Sequence, residues 1–410
     1  MSRKHLNRWR RVALLLGGVA LVMVMVVAGC PQGNGPAAGN NSPAAGSDNS
    51  TPTDGSAADD AGGQGDGAST AGDNANDNTG DSGGDSSADD NTPDGGNDDN
   101  NPPGDDQPSI AFTFDPATLT GKYLMAFLGC EGGGDVCGDP TAHRVYIASS
   151  DDGVHWTVPD GWTPYVGSVP DVVERDDKLY IYTPNQVVFA DLTTGEVTEP
   201  VDVEVEGDGL PAGFVDPSPT LDDQGRIVLF FIAGSFDGAI GTCAGGETTC
   251  TVNVYSATET DDRDGIHFTL DAGARAEVDV DIASDIKTAT DPDIFYDGTQ
   301  YVLYVSHGQA MSVWTSATLT GTYTRVTTLP DGMITPASGG VGSGLFDAET
   351  GMYWTYAHKS SGDTTVIRRA VHADFSAQLT ADDFTTVIEG ADLGFDADST
   401  VGSPGIWLRQ

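Results

Sequence analysis

The stretch Val215-Asp216-Pro217-Ser218-Pro219-Thr220-Leu221-Asp222-Asp223-Gln224-Gly225-Arg226 reads as a proline-opened strand that ends in an acidic, Gly-bearing turn, with the apolar run Ile227-Val228-Leu229-Phe230-Phe231 behind it. Similar openings stand at Val169-Pro170-Asp171, Thr290-Asp291-Pro292-Asp293, Thr335-Pro336-Ala337 and Ser403-Pro404-Gly405. From Pro170 to Pro404 is 234 residues over four intervals, a mean of 58.5. That length accommodates four short strands with their loops. After the earlier openings an Asp- or Gly-bearing turn leads into an aromatic strand, as in Asp177-Lys178-Leu179-Tyr180 and Asp297-Gly298-Thr299-Gln300-Tyr301.

Working outward, the rest of the C-terminal region has the same character. Tyr123-Leu124-Met125-Ala126-Phe127, Arg144-Val145-Tyr146-Ile147-Ala148, Leu179-Tyr180-Ile181-Tyr182, Tyr301-Val302-Leu303-Tyr304-Val305 and Met352-Tyr353-Trp354-Thr355-Tyr356 are rich in β-branched and aromatic residues. No 3.6-residue periodicity stands out beyond the N-terminal segment. The expected fold is all-β, a five-bladed β-propeller over 109–410. The final strand, Ser403 to Leu408, has no hairpin after it, so pairing it with the N-terminal hairpin at 122–149 would complete the fifth blade and leave few open edges. A second repeat matches Asp152-Gly153-Val154-His155-Trp156-Thr157 with Asp264-Gly265-Ile266-His267-Phe268-Thr269. In the first copy Ser149, Asp151, Gly153 and Trp156 also fit the S-x-D-x-G-x-x-W turn, which closes a hairpin and tucks an aromatic between blades. His155 and His267 are read as structural parts of these turns.

The first 108 residues are of another kind. Arg3, Lys4, Arg8, Arg10 and Arg11 precede an uncharged apolar run from Val12 to Val27, then Val27-Ala28-Gly29-Cys30. This resembles the signal peptide and lipobox of bacterial lipoproteins, which implies cleavage after residue 29, lipidation at Cys30 and export to the cell envelope with the lipid as the only membrane contact. Residues 30–108 are a Gly, Asn, Asp, Ser, Ala, Thr and Pro tract with no Lys or Arg, and its sixteen Asp residues repel one another. Such a segment buries too little apolar surface to offset its ordering entropy and is expected to be a disordered tether. Asp73-Asn74-Ala75-Asn76-Asp77-Asn78 has the oxygen-rich look of a calcium loop but lacks the Gly at position 6 and the closing Glu.

Charge and cysteines narrow the function classes. The 109–410 region holds 46 acidic and 13 basic residues. A surface this negative repels nucleic acid and anionic lipid, and suits cations or neutral substrates. Cys130 with Cys137, and Cys243 with Cys250, are two C-x6-C pairs in Gly-rich loops. In an exported chain they are expected to be local disulfides. Zinc is the alternative, and the spacing does not suit it.

Val215–Arg226 resembles the DPS…DDDG stretch of five-bladed arabinanases and xylosidases, the glycoside hydrolases of family 43 with their invertase and levansucrase relatives. Val169-Pro170-Asp171-Val172-Val173 is similar to their APDV opening, and Gly340-Val341-Gly342-Ser343 with Trp354-Thr355-Tyr356-Ala357-His358 to their GHGS…WxxYH blade. The resemblance implies carbohydrate as the partner and hydrolysis by a carboxylate base and a carboxylic acid, a third carboxylate tuning the acid. Asp216 falls on the tuning position, and Asp115 in Phe114-Asp115-Pro116-Ala117 on the base. If Ser403-Pro404 opens the closing blade instead, the base position holds Ser403. The acid position falls on Thr290, and Val341 replaces the His of GHGS. Asp171, Asp216 and Asp291 open blades and are candidates for a rearranged acid and base, with Asp293 as a further acid. The plain alternative is that Asp beside Pro caps strand starts. His358 and His307 end neighbouring strands and are candidate ligand-binding residues. Related enzymes set a central His near a cation, so calcium is the one cofactor the pattern raises, and no cofactor is required. The expected function is an envelope lipoprotein acting on or binding carbohydrate, the alternative being a non-catalytic glycan-binding or adhesive protein.

Overall fold

The computed structural model describes residues 108–208, 213–234, 241–243, 247–284, 286–396 and 398–409. The signal peptide, Cys30 and the tether as far as residue 107 lie outside the described residues. The described chain is all-β, apart from 3-10 turns and the five-residue helix Gly133–Cys137.

Its strands form five arcs. The first runs outward through Asp171–Arg175, Lys178–Thr183, Gln186–Asp191 and Glu196–Thr198, with Ile110–Thr113 added at its edge. The second runs through Phe214–Leu221, Ile227–Ala233, Thr249–Glu259 and His267–Leu270. The third holds Thr290–Tyr296, Tyr301–Ser306, Met311–Ser316 and Thr324–Arg325. The fourth holds Gly340–Asp347, Met352–Ser361, Thr364–His372 and Thr385–Ile388. The fifth joins the two ends of the chain: Ser399–Leu408 pairs antiparallel with Tyr123–Glu131, with Met125 opposite Ile406, and Arg144–Ser150 and Tyr165–Val166 follow. A parallel contact, Thr365 opposite Thr400, merges the fourth and fifth arcs into one sheet. The five inner strands touch one another in a closed cycle from Asp171–Arg175 round to Ser399–Leu408.

Strand period explains the cycle. Successive side chains point to opposite faces, and each second strand divides its apolar residues between two neighbours. Val228, Phe230 and Ile232 pack towards the third arc with Leu303 and Val305, while Ile227, Leu229 and Phe231 pack towards the first with Tyr180 and Tyr182. Leu124 and Ala126 face the first arc, while Tyr123, Met125 and Phe127 face the fourth. Val302 and Tyr304 meet Ala357 and Ala370. The result is five hydrophobic cores, one at each junction. It explains why strands such as Ile227-Val228-Leu229-Phe230-Phe231 read as unbroken apolar runs: both faces are buried.

The Asp-Gly-x-His repeat fastens two of these junctions in the same way. Asp152 Oδ1 accepts from Val154 N (2.8 Å) and His155 N (2.9 Å), and Asp264 Oδ1 accepts from Ile266 N (2.9 Å) and His267 N (3.0 Å). In each, a Tyr of the preceding arc donates to the Gly carbonyl: Tyr356 Oη to Gly153 O and Tyr182 Oη to Gly265 O, both 2.9 Å. Gly153 and Gly265 have φ of 69° and 76°, and a Cβ on Gly265 would stand 2.5 Å from the Tyr180 ring. The turn carboxylate is therefore Asp152, not Asp151. Both expected disulfides are present, Cys130–Cys137 and Cys243–Cys250.

One opening is corrected. Thr335-Pro336-Ala337 lies at the end of the short strand Met333–Thr335, and the inner strand of the fourth arc is Gly340–Asp347. There Gly342 stands where the other arcs carry proline, so a proline search lands six residues early.

Candidate functional site

The five inner strands share a local distortion that builds the axial site. Val169, Asp216, Asp291, Val341 and Ser403 have φ of 42°, 53°, 45°, 45° and 48°. Each marks the first position at the axis on its strand, and four directly precede Pro170, Pro217, Pro292 and Pro404. For non-glycine residues this left-handed conformation is strained and persists only where the surroundings enforce it. The strand ladder shifts register at the same place, between Val215 and Ser218, Thr290 and Asp293, and Gly340 and Gly342. These bulges turn the first-position side chains towards one opening of the axis.

Two residues further along, the third-position side chains form a hydrogen-bonded belt. Ser218 Oγ accepts from Ile294 N of the next arc (3.2 Å), Asp293 Oδ2 from Gly344 N (2.8 Å) and Ser343 Oγ from Ile406 N (3.1 Å). The pattern breaks twice, for chemical reasons. Asp171 faces Pro219, which has no N–H, and Gly405 has no side chain to offer Val172. Asp171 repairs the second break by accepting from its own neighbour Val172 N (2.7 Å) and answers the first by bonding the Ser218 hydroxyl. Gly405 is required here, because a Cβ on it would stand 2.2 Å from Asp171 Oδ1.

The first-position residues, the Pro or Gly after each, and Asp171 and Asp293 line a constriction of about 30 Å³, room for about one water. On the first-position side the axis widens into a cavity of about 360 Å³, whose walls include Asp216, Asp291, Thr290, Ser403, His358 and His143. On the other side a cavity of about 490 Å³ reaches Asp171 and Asp293.

The four buried carboxyls thus form two pairs. Asp216 Oδ2 accepts from Asp291 N (3.1 Å). Burial, and then the charge of Asp291, hold the Asp216 carboxyl well above its ordinary value. Burial raises Asp291 to about 6, against a hydrogen bond from Thr290. Deeper, burial and then the charge of Asp293 push Asp171 well up, and burial lifts Asp293 to about 7. Burial thus biases all four towards the protonated form, in which a carboxyl donates as well as accepts; at neutral pH Asp293, at about 7, is half protonated and Asp291, at about 6, is mostly ionised.

The expected site residues divide accordingly. Asp216 and Asp291 share the 360 Å³ cavity, whereas Asp171 sits at the constriction and beyond it. Asp115 is elsewhere: it is exposed and caps the turn Pro116–Thr118, accepting from Ala117 N at 3.0 Å. Ser403 opens the closing arc, so the base position of the resemblance holds a hydroxyl. His358 lines the cavity; burial lowers it to about 4, and its buried Nδ1 has no hydrogen-bond partner among the described residues. His307 does not reach the cavity, because Thr288 O (2.6 Å) and Ser312 Oγ (2.9 Å) occupy both ring nitrogens. The sequence reading missed His143, which Cys137 O (2.9 Å) and Ser168 Oγ (2.8 Å) hold in the cavity wall. It belongs to no repeat, and only the adjacent disulfide loop places it there. Among the described residues no group of three His, Cys, Asp or Glu side chains is arranged to hold a metal ion, and calcium gains no site from them.

No protein-family model matches this chain. No curated protein matches it either. Solved structures do, and they are enzymes of the kind the sequence motifs resemble. A family 43_1 glycoside hydrolase from Xanthomonas citri, complexed with xylose, is 17% identical over 68% of this chain and 93% of that one, with a TM-score of 0.40. A family 43 arabinoxylan arabinofuranohydrolase from Bacillus subtilis, in complex with cellotetraose, is 15% identical over 70% of this chain and 69% of its own, with a TM-score of 0.44. An endo-1,5-alpha-L-arabinanase from Thermotoga petrophila is 13% identical over 50% and 52%, with a TM-score of 0.36.

Proposed function

We propose that the five arcs are the blades of a five-bladed β-propeller, and that the 360 Å³ opening binds a neutral sugar unit of a glycan without cleaving it. One observation carries this reading. Around the axis the first positions are Val169, Asp216, Asp291, Val341 and Ser403, so the two carboxyls sit on neighbouring strands and the positions facing them are Val and Ser. Glycoside hydrolysis needs two carboxyl groups flanking the scissile bond, about 5–9.5 Å apart with the sugar between them. A side-by-side pair, coupled through Asp291 N and Asp216 Oδ2, leaves one flank without a carboxyl.

What remains suits binding. The volume lies at the lower end of small-molecule pockets, about 300–1,000 Å³. Asp216, biased by burial towards the protonated form, offers a donor, and Asp291, Thr290 and Ser403 add acceptors and hydroxyls for the sugar. Leu128, Val169 and Val341 supply apolar contact. On this reading the domain is displayed at the cell envelope by lipid on Cys30 and the 30–108 tether; metabolic labelling with a fatty acid, lost in Cys30→Ser, tests the anchor.

The function is tested with the full chain in detergent, offered arabinan, xylan, fructan and matched aryl-glycosides. The expected result is no sugar release and a saturable glycan interaction that Asp216→Asn weakens. Sugar release abolished by Asp216→Asn would overturn the reading in favour of a glycosidase.

A further inference from the structure

We propose that the opposite opening of the axis is a second binding site, one that takes an organic ammonium cation. The 490 Å³ cavity there is walled by the late residues of the inner strands, not the early ones. Five aromatic residues line it, Phe295, Tyr296, Tyr301, Phe346 and Trp407, and all but the core residue Phe295 are partly uncovered. Tyr296 is 51% exposed, and its ring lies 4.9 Å from that of Tyr301. Trp407 is half-buried, and its buried Nε1 has no hydrogen-bond partner among the described residues. Elsewhere in this domain most large aromatics are buried between arcs, so a group of partly uncovered rings around one concavity calls for an occupant.

The charge of the cavity selects that occupant. Asp222 and Asp223 line it, against a single cation, Arg409; Asp171 and Asp293 line it too, but burial biases them towards the neutral form. Glu174 already neutralises Arg409 at 2.8 and 3.2 Å. Arg226 pairs with Asp222 at 2.9 Å. The exposed Asp223 carboxylate has no hydrogen bond or ion pair among the described residues, so its charge is uncompensated. The acids bear directly on the rings: after burial, the charges of Tyr296, Asp223 and Asp222 raise the Tyr301 hydroxyl. Aromatic faces beside an unpaired carboxylate attract a cation that keeps little hydration of its own, such as a quaternary ammonium. A metal ion would require a ligand cluster that the described residues lack.

This site is independent of the sugar-binding reading, because the constriction separates the two cavities. The probe is tetramethylammonium chloride, titrated into the full chain in detergent against sodium chloride at matched ionic strength and followed by calorimetry and tryptophan fluorescence. Saturable binding is expected with tetramethylammonium and absent with sodium. Tyr296→Ala and Asp223→Asn should each weaken it by about threefold, the size of an exposed cation–π contact, while Asp216→Asn leaves it unchanged. Both altered residues are exposed, and an unchanged melting temperature checks that each variant is folded. No saturable binding, or binding indifferent to both substitutions, would overturn the proposal. So would displacement of the probe by an uncharged hexose.

Discussion

Two rings of side chains lie two residues apart on the same five inner strands, and they serve different ends. The third-position ring, Asp171, Ser218, Asp293, Ser343 and Gly405, spends its polar atoms on the protein: each acceptor takes an N–H of a neighbouring strand or repairs a missing one. The first-position ring, Val169, Asp216, Asp291, Val341 and Ser403, holds strained backbone and, among the described residues, its side chains make one bond between strands, Asp291 N to Asp216 Oδ2, with Thr290 bonding Asp291 within its own strand. Its groups remain available in the wide cavity. Strain together with unspent hydrogen-bonding capacity supports the proposal that the first ring is the ligand side, and satisfied geometry marks the third as the clasp that closes the cycle.

The severest way to break this division is Gly405→Val. The added side chain collides with the Asp171 carboxyl and its backbone, where the last strand meets the first. A loss of about 3 kcal/mol is expected, at the upper end for overpacking, read as a lower urea midpoint. Wild-type stability would show that the cycle is not clasped at that point. Next come Ser218→Ala and Ser343→Ala, which strand the buried N–H groups of Ile294 and Ile406. Each should cost about 1–3 kcal/mol in the same measurement.

The belt also carries a pH signature. Asp293 is raised to about 7 by burial, so between about pH 4 and pH 7 the folded chain binds a proton that the unfolded chain has released. The contribution of this group is therefore fullest below about pH 4 and falls as the pH rises through this window, by up to about 1.4 kcal/mol for each unit of pKa elevation. Asp171, also raised, adds a fall in the same direction as the pH rises above the ordinary carboxylate range. Asp293→Asn keeps an oxygen for Gly344 N and removes the titration. Urea midpoints of this variant should decline less between pH 4 and pH 7 than those of the wild type, and an identical decline would place the titrating group elsewhere.

The sequence exposed the clasp better than the cavity. Proline before an acidic or small residue marked four of the five inner strands, because bulged backbone and proline recur together at each. The fourth was misplaced because Val341-Gly342 reaches the same backbone without proline. The closing pair of strands was legible because the last strand had no hairpin of its own. Asp115 misled through a local cue: Asp-Pro also caps a 3-10 turn, and that is its use here. His307 ends a strand like a ligand but is consumed by Thr288 and Ser312, partners that only the tertiary fold supplies. The side-by-side placement of Asp216 and Asp291 was equally hidden, since which inner strands touch at the axis is a property of the closed cycle.

The finest comparison uses one substitution at both levels. Ser403 and Ser343 are almost equally enclosed, at 7% and 0% exposure. Ser343 Oγ satisfies Ile406 N, whereas no hydrogen bond among the described residues engages the Ser403 hydroxyl. Alanine tolerates the left-handed backbone of position 403 about as well as serine, because both carry a Cβ. Ser403→Ala should therefore change the urea midpoint by no more than about 0.5 kcal/mol, the range of substitutions that break no interaction, while Ser343→Ala falls well below it. If Ser403→Ala destabilises as much as Ser343→Ala, the first ring is part of the clasp and its polar groups are not free for a ligand. If it leaves stability intact and weakens glycan binding, the hydroxyl at the base position works for the ligand alone.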